Sequence, residues 1–275
     1  MAQLIGIPLV KKGRVGDFTF YQRDNMVMVR SRHNEAHQQR TLSEKQVRQC
    51  SRMGNIVTLW QRFPREHRPI FEQRREGVRD YNQFVLYAMQ AHPIYLTRQL
   101  SQDRACVLTD VVVSQGSLSE INVSHDGIAP VTSIRLGGLT IDSHTTVRQF
   151  AKAVVNNNYD YRPDDRLRYY LGEQRWVENE AKPDVTMRCS ELLLELDDDT
   201  PLQLATGGSI GFAQRGGWLA ASREVVGGMV WVHLRHGSGS TLLSTQRLVC
   251  HTDEMMTRYS SEEAFAEAWE SYVEN

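Results

Sequence analysis

The chain of 275 residues has only four cysteines, no low-complexity tract, and no apolar run near the ~20 residues that cross a bilayer. Each absence excludes a class of protein. Cys50, Cys106, Cys189 and Cys250 lie far apart with no C-x-x-C pair, which argues against a zinc knuckle and a disulfide framework. The expectation is reduced and mostly buried thiols. The first ten residues are apolar, but Pro8 interrupts them and Lys11 and Lys12 follow where a signal peptide would carry a small-residue cleavage site. A cytoplasmic chain is expected, or a virion component if the gene belongs to a phage, with no membrane partner. On that expectation the glycosylation pattern Asn122-Val123-Ser124 is coincidence. The hydrophobic fraction of 40% and charged fraction of 24% suit a folded globular chain.

The signatures of common chemistries are missing too. No G-x-S-x-G elbow is present, and Cys106 and Cys250 sit inside apolar runs where a structural thiol is expected. His33-Asn34-Glu35-Ala36-His37 would present two imidazoles and a carboxylate on one face of a strand, but no second His/Cys cluster completes a ligand set. A polar loop explains these residues as well. The stretch Thr206-Gly207-Gly208-Ser209-Ile210-Gly211, with Gly216-Gly217 beyond it, lacks the Lys-Ser/Thr pair of a P-loop and the G-x-G-x-x-G of a dinucleotide site. It reads as turns. Asp197-Asp198-Asp199 lacks the alternating ligands of an EF-hand and reads as an acidic turn. The chain is expected to be non-enzymatic, with no catalytic residue, metal or cofactor.

What is present is a charge asymmetry hidden by the net charge of -1. Residues 1–104 hold 18 Lys and Arg against 9 Asp and Glu, and residues 105–275 hold 14 against 24. Two domains are expected, a basic one at 1–104 and an acidic, strand-rich one at 105–275. Asp17–Tyr21 and Met26–Arg30 read as a β-hairpin about Arg23-Asp24-Asn25. Thr41-Leu42-Ser43-Glu44 has the form of a capping box, and Val47, Cys50, Met53, Ile56, Val57 and Trp60 keep helical spacing up to Pro64. A third short helix is expected at 80–89, ending before Pro93.

Beyond Ala105 come short apolar runs at 106–113, 131–136, 167–171, 192–196, 229–234 and 241–249, separated by turn residues. They predict antiparallel strands. Helices interrupt them at 145–157 and after Ser260-Ser261-Glu262-Glu263, where Phe265, Ala268, Trp269 and Tyr272 form a stripe. The fold class is α+β, with a hairpin and small helical bundle followed by a mainly antiparallel β-rich domain with two helices.

The candidate binding residues are basic. Lys45, Arg48 and Arg52 fall on one face of the first helix, and Arg62, Arg65, Arg68, Arg74, Arg75 and Arg79 follow. They suit an acidic protein partner or self-association. They equally suit nucleic acid, where neutralised phosphates would make binding salt-dependent. The plain alternative is a solvated face with local pairs such as Glu44–Arg48 and Glu72–Arg75.

Gly13–Tyr21, then Val29-Arg30-Ser31-Arg32, then Arg40-Thr41 with Gln46 and Arg48, resemble an uncharacterised family widespread in Bacteroidetes genomes and found in phage-related contexts. Asp80-Tyr81-Asn82-Gln83-Phe84, Ser244-Thr245-Gln246 and Ser271-Tyr272 resemble its later elements. The likeness covers the first third and then scattered pieces, and His33 stands where the family commonly has proline. The resemblance implies a non-enzymatic phage or prophage structural component.

Overall fold

The structure, a computed structural model, describes residues 13–15, 18–23, 26–31, 42–72, 78–224, 227–237, 239–250 and 254–273. Contacts divide the chain into two compact units, residues 1–41 and 42–275. In the first, β1 (Gly13–Val15), β2 (Phe18–Arg23) and β3 (Met26–Ser31) form an antiparallel sheet in that order. Phe20 lies opposite Val29 and Gln22 opposite Val27, so these residues share a face with Phe18. The expected turn at Asp24-Asn25 and the segment from His33 to His37 lie outside the described residues.

The second unit is built on a sheet buried on both sides. Its strands β8 (Arg166–Val177), β9 (Lys182–Leu193), β12 (Gly227–His236) and β13 (Thr241–Leu243) run in the order β13-β12-β8-β9, and β15 (Val249–Cys250) also pairs with β12. Side chains alternate across it with period two. Tyr170, Val185, Met187, Val230 and Val232 enter one apolar cluster with Ile56, Leu59 and Phe63 of the first long helix region. Tyr169, Leu171, Met229 and Trp231 enter another with Phe150, Ile134 and Leu219. Every residue of β12 from Gly227 to Leu234 is buried, which explains a run that is apolar except for His233.

The helical layer comprises α1 (Glu44–Arg62), α2 (Asp80–Ala88) and α3 (Arg98–Gln102). The start of α1 is signalled two residues later than Thr41 suggests, because the Ser43 amide donates to Gln46 Oε1 at 2.9 Å. Phe63 at its C-cap meets Tyr170 edge-on at 5.4 Å, tying the helix to the sheet. Within α1, Cys50 and Met53 are exposed, not buried, and the buried face runs through Val47, Ser51, Asn55, Ile56 and Leu59.

The expected boundary after residue 104 therefore does not coincide with a structural one. One cluster contains Ile56 and Phe84 together with Val232 and Leu248, so the helices and the sheet share a core. Charge counts report surfaces, whereas the apolar face of α1 has to be buried against another layer.

On the opposite side, a four-stranded antiparallel sheet orders β10 (Ala213–Arg215), β11 (Trp218–Ala220), β7 (Pro130–Arg135) and β6 (Val123–His125). Beside it α4 (Val147–Asn157) begins at a capping box in which Thr146 Oγ1 accepts from the Gln149 amide. A third small sheet orders β14 (Gln246–Arg247), β5 (Val112–Gln115) and β4 (Ile70–Phe71), with β4 and β5 parallel. The expected strand at 106–113 is mostly an extended buried segment. Asn55 bonds both backbone groups of Val107, and Gln174 Oε1 accepts from the Leu108 amide, in place of a ladder. A short helix α5 (Leu202–Ala205) precedes the glycine stretch, and α6 (Glu254–Ser260) and α7 (Glu262–Val273) follow the last strands. Among the described residues no helix is long and apolar enough to cross a membrane.

Candidate interaction surfaces

The basic residues of the first helical region do not present one common face. Arg48 lies 3.7 Å from the Phe265 ring centroid, and its guanidinium bonds Glu262 at 3.1 Å, Tyr95 at 3.1 Å and Glu44 at 3.3 Å. The Glu262 carboxylate leads the causes that strengthen its hold on the proton. Arg52 donates to the carbonyls of Met89 and Ala91 just beyond α2, at 2.7 and 3.2 Å. Arg62 reaches across to β9 and pairs with Asp184 at 2.6 Å. These three guanidiniums are fastening elements.

Arg68 stacks over Trp60 at 5.2 Å. Lys45, Arg65 and Arg79 are exposed, and Arg74 and Arg75 lie outside the described residues. The Glu44–Arg48 pair anticipated from spacing is present, the Glu72–Arg75 pair falls partly outside the described residues, and Glu72 also meets backbone and hydroxyl donors. Its carboxylate accepts from the Ser117 amide and hydroxyl at 2.8 Å and from the Leu243 amide. Burial alone would raise its pKa, and these donors together hold it below the ordinary value.

The glycine stretch is a helix stop. Gly207 has φ +63° and donates to Leu204 O, while the Gly208 amide donates to Gln203 O at 2.7 Å, the Schellman pattern after α5. Its amides are turned to the helix's own carbonyls, leaving no cradle for phosphate. Gly216 and Gly217, at φ +58° and +87°, make the tight turn between β10 and β11. The acidic run sits at the start of α4: Asp198 O accepts the Arg148 amide, and Asp199 pairs with the Arg148 guanidinium at 2.8 Å.

Of the cysteines, Cys106 is buried, Cys189 and Cys250 are half-buried and Cys50 is exposed. Burial pushes the Cys189 thiol up to about 12 and Cys106 higher still, so neither is an activated nucleophile. Among the described residues no group of three or more His, Cys, Asp or Glu is placed to hold a metal ion.

Sequence reading missed two features. The first is a buried ionic node. Asp165, with a side chain 2% exposed, takes Arg235 in two bonds of 2.8 and 2.7 Å, His233 Nε2 at 2.8 Å and the Arg162 amide at 2.8 Å. Burial opposes its ionisation, yet Arg235, His233 and the Arg162 amide hold the carboxyl far below the usual range. His233 stacks on Tyr161 at 4.1 Å, and its Nδ1 is buried without a hydrogen-bond partner. Both side chains of this Asp-His contact are sealed from solvent, and the node clamps a loop, since Arg235 also donates to Asp160 O.

That loop carries Tyr159, which is 95% exposed. Tyr159 rims an open cleft of about 420 Å³ whose far side holds Trp218 and Arg135, the guanidinium 5.0 Å above the indole. The local signal was the Asn157-Asn158 helix stop. Asn158 closes α4 by bonding Val154 O and both backbone groups of Arg135, which fixes the loop's exit.

The second feature is the state of the strand edges. β9 is the last strand of the central sheet, and the Pro183 carbonyl accepts the Cys106 amide from outside that sheet. The backbone groups of Val185, Met187, Cys189 and Glu191 therefore face the same way. That edge is covered, because Val185 and Met187 are 1% and 7% exposed and lie in the core cluster with Cys106, Leu108 and the first helix, and Glu191 is held by Arg166 and Arg168. In the first unit β3 is likewise an edge strand, and Phe18, Tyr21, Met26 and Val27 are 40–60% exposed. No side chain described in that unit is fully buried. Compared with protein-family models, curated proteins and solved structures, the chain matches none.

Proposed function

We propose that the protein is a non-enzymatic structural or assembly component that works by protein–protein contact, with a phage or prophage virion as its setting. The observation that carries the reading is the pairing of opposite charge with exposed apolar side chains on separate units. Residues 1–41 hold seven Lys and Arg against three Asp and Glu, a net +4, while residues 42–275 hold 25 against 30, a net -5. The basic unit also exposes Phe18, Met26 and Val27, each near or above half. Phe18 and Val27 lie on one face of this small sheet and Met26 on the other, and exposed apolar groups on a small sheet favour a docking partner. The resemblance to a phage-associated family gives the setting.

Binding of nucleic acid through the α1 region is the weaker reading, because Arg48, Arg52 and Arg62 are already engaged by Glu262, backbone carbonyls and Asp184. Light scattering after size exclusion, at low and high salt, tests the assembly reading. An oligomer that loosens with salt supports it, and a monomer under every condition removes it. A DNA or RNA titration at several salt concentrations tests the alternative, which fails if Lys45→Glu and Arg79→Glu leave binding unchanged.

A further inference from the structure

The cleft beside Tyr159 is bordered by charged groups that the fold leaves uncommitted. Arg135, Glu120 and Asp160 all line it, and among the described residues none of their side chains forms an ion pair. Elsewhere in the same unit Arg62, Arg166 and Arg235 each lie within 2.7 Å of a carboxylate oxygen. The neighbouring amides divide in the same way. Asn158 is spent on Val154 O and the backbone of Arg135, whereas Asn157 commits only its Nδ2, to Ala153 O, and keeps Oδ1 as an acceptor.

Two aromatic rings complete the walls. Tyr159 is 95% exposed, and half-buried Trp218 stands on the sheet beside Arg135, its partner in the pairing of β11 with β7. Trp218 also borders a more open hollow of about 550 Å³ with Ser124 and Gln214, so the two hollows adjoin along the outer face of that sheet. The shape suits an elongated ligand. The cleft of about 420 Å³ falls within the ~300–1,000 Å³ range of sites that hold small molecules.

Charge decides the class of ligand. Two carboxylates against one guanidinium repel phosphate and sulfate esters, and a cation would find the indole already taken by Arg135 at 5.0 Å. A neutral polyhydroxylated ring meets every requirement. Its hydroxyl groups donate to the carboxylates and to Asn157 Oδ1 and accept from the guanidinium, while its C–H faces lie against the two aromatic rings.

We propose that the Tyr159–Trp218 cleft binds a neutral oligosaccharide, with sugar faces stacked on the two rings and hydroxyl groups held by Glu120, Asp160 and Arg135. This goes beyond the assembly reading and does not depend on it.

An array of immobilised neutral gluco-, manno-, galacto- and N-acetylglucosamine oligosaccharides, probed with the full chain, tests for binding, and NMR titration with the tightest member locates it. The Trp218 indole N–H and the Tyr159 amide should shift saturably, equally at low and high salt because no net charge is neutralised. Tyr159→Ala, at an exposed position, should weaken binding about tenfold or more while leaving the urea midpoint in place. Glu120→Gln keeps the shape and loses the charged acceptor, and should weaken it about threefold or more. An array with no member bound, or binding that Tyr159→Ala leaves unchanged, overturns the proposal. So does a shift of these resonances with protein concentration in place of sugar, which would make the cleft a contact between copies. Saturation by a lysine-rich peptide or an oligonucleotide in place of sugar overturns it as well. Light scattering reads the assembly separately, so either idea can fail alone.

Discussion

The two units of this chain solve the burial problem in opposite ways. Residues 42–275 enclose a sheet between helices on one side and a second sheet with α4 on the other, and even the charges at its centre are paired. The described residues of 1–41 form a three-stranded antiparallel sheet with aromatic and aliphatic groups exposed and no fully buried side chain among them. A stable scaffold can carry an element that is stable only in company. Sequence changes in the larger unit should thus read out as folding free energy, and changes in the smaller one as association.

The largest effect should follow from breaking the buried node. Arg235→Met leaves the Asp165 carboxylate buried with only His233 and the Arg162 amide, and should cost about 3–5 kcal/mol in urea unfolding followed by tryptophan fluorescence. A loss under about 1 kcal/mol would mean that water reaches the node. Leu59→Ala, at a fully buried position of α1, should cost about 2–5 kcal/mol. Its size tests whether helices and sheet unfold together, since two separate transitions would restore a boundary near residue 104.

The pH profile sharpens the same point. The folded pKa of Asp165 lies below its unfolded value of about 3.9, so its stabilisation is complete above about pH 5 and is lost as pH falls through the folded value. Asp165→Asn should flatten the acid limb of the stability curve while lowering its plateau. An unchanged slope would assign the acid limb to Glu72, Asp110 and Glu191, whose pKa values are also lowered. Smaller again is Arg48→Met. It removes a cation over Phe265 and an exposed pair to Glu262, and should cost about 1 kcal/mol. Lys45→Glu and Tyr159→Ala should shift stability by no more than about 0.5 kcal/mol, which makes Tyr159 a clean probe of any partner seated at the Trp218 cleft.

Much of the α+β fold was legible where one rule governed a segment. The period of Phe150, Ala151 and Val154 marked α4, the Ser261-Glu262 start marked α7, and the run at 229–234 marked β12 as a strand. Most of β9 escaped, since the expected strand at 192–196 meets only its last two residues; Asp184, Thr186, Arg188 and Ser190 alternate with its apolar residues and break the run, although that alternation is itself a strand signal.

The surfaces were harder. Spacing shows that Arg48, Arg52 and Arg62 are available for pairing, but their partners Glu262, Met89 O and Asp184 arrive from elsewhere in the chain. The Asp165–His233–Arg235 node has the same origin, since its members are 68 and 70 residues apart. Tertiary structure alone brings them together.

The packing of α1 also sets a timetable for synthesis. Val47, in the first turn of the body's first helix, is buried among Tyr95, Ala264, Phe265 and Ala268, and Arg48 closes over Phe265. A nascent chain emerging from the ribosome exposes that patch from the moment α1 forms until α7 follows, more than 200 residues later. At roughly 5–20 residues per second, the helix waits tens of seconds for its cover. The late element is the lock, and a chain cut short before residue 264 would leave that patch of α1 uncovered.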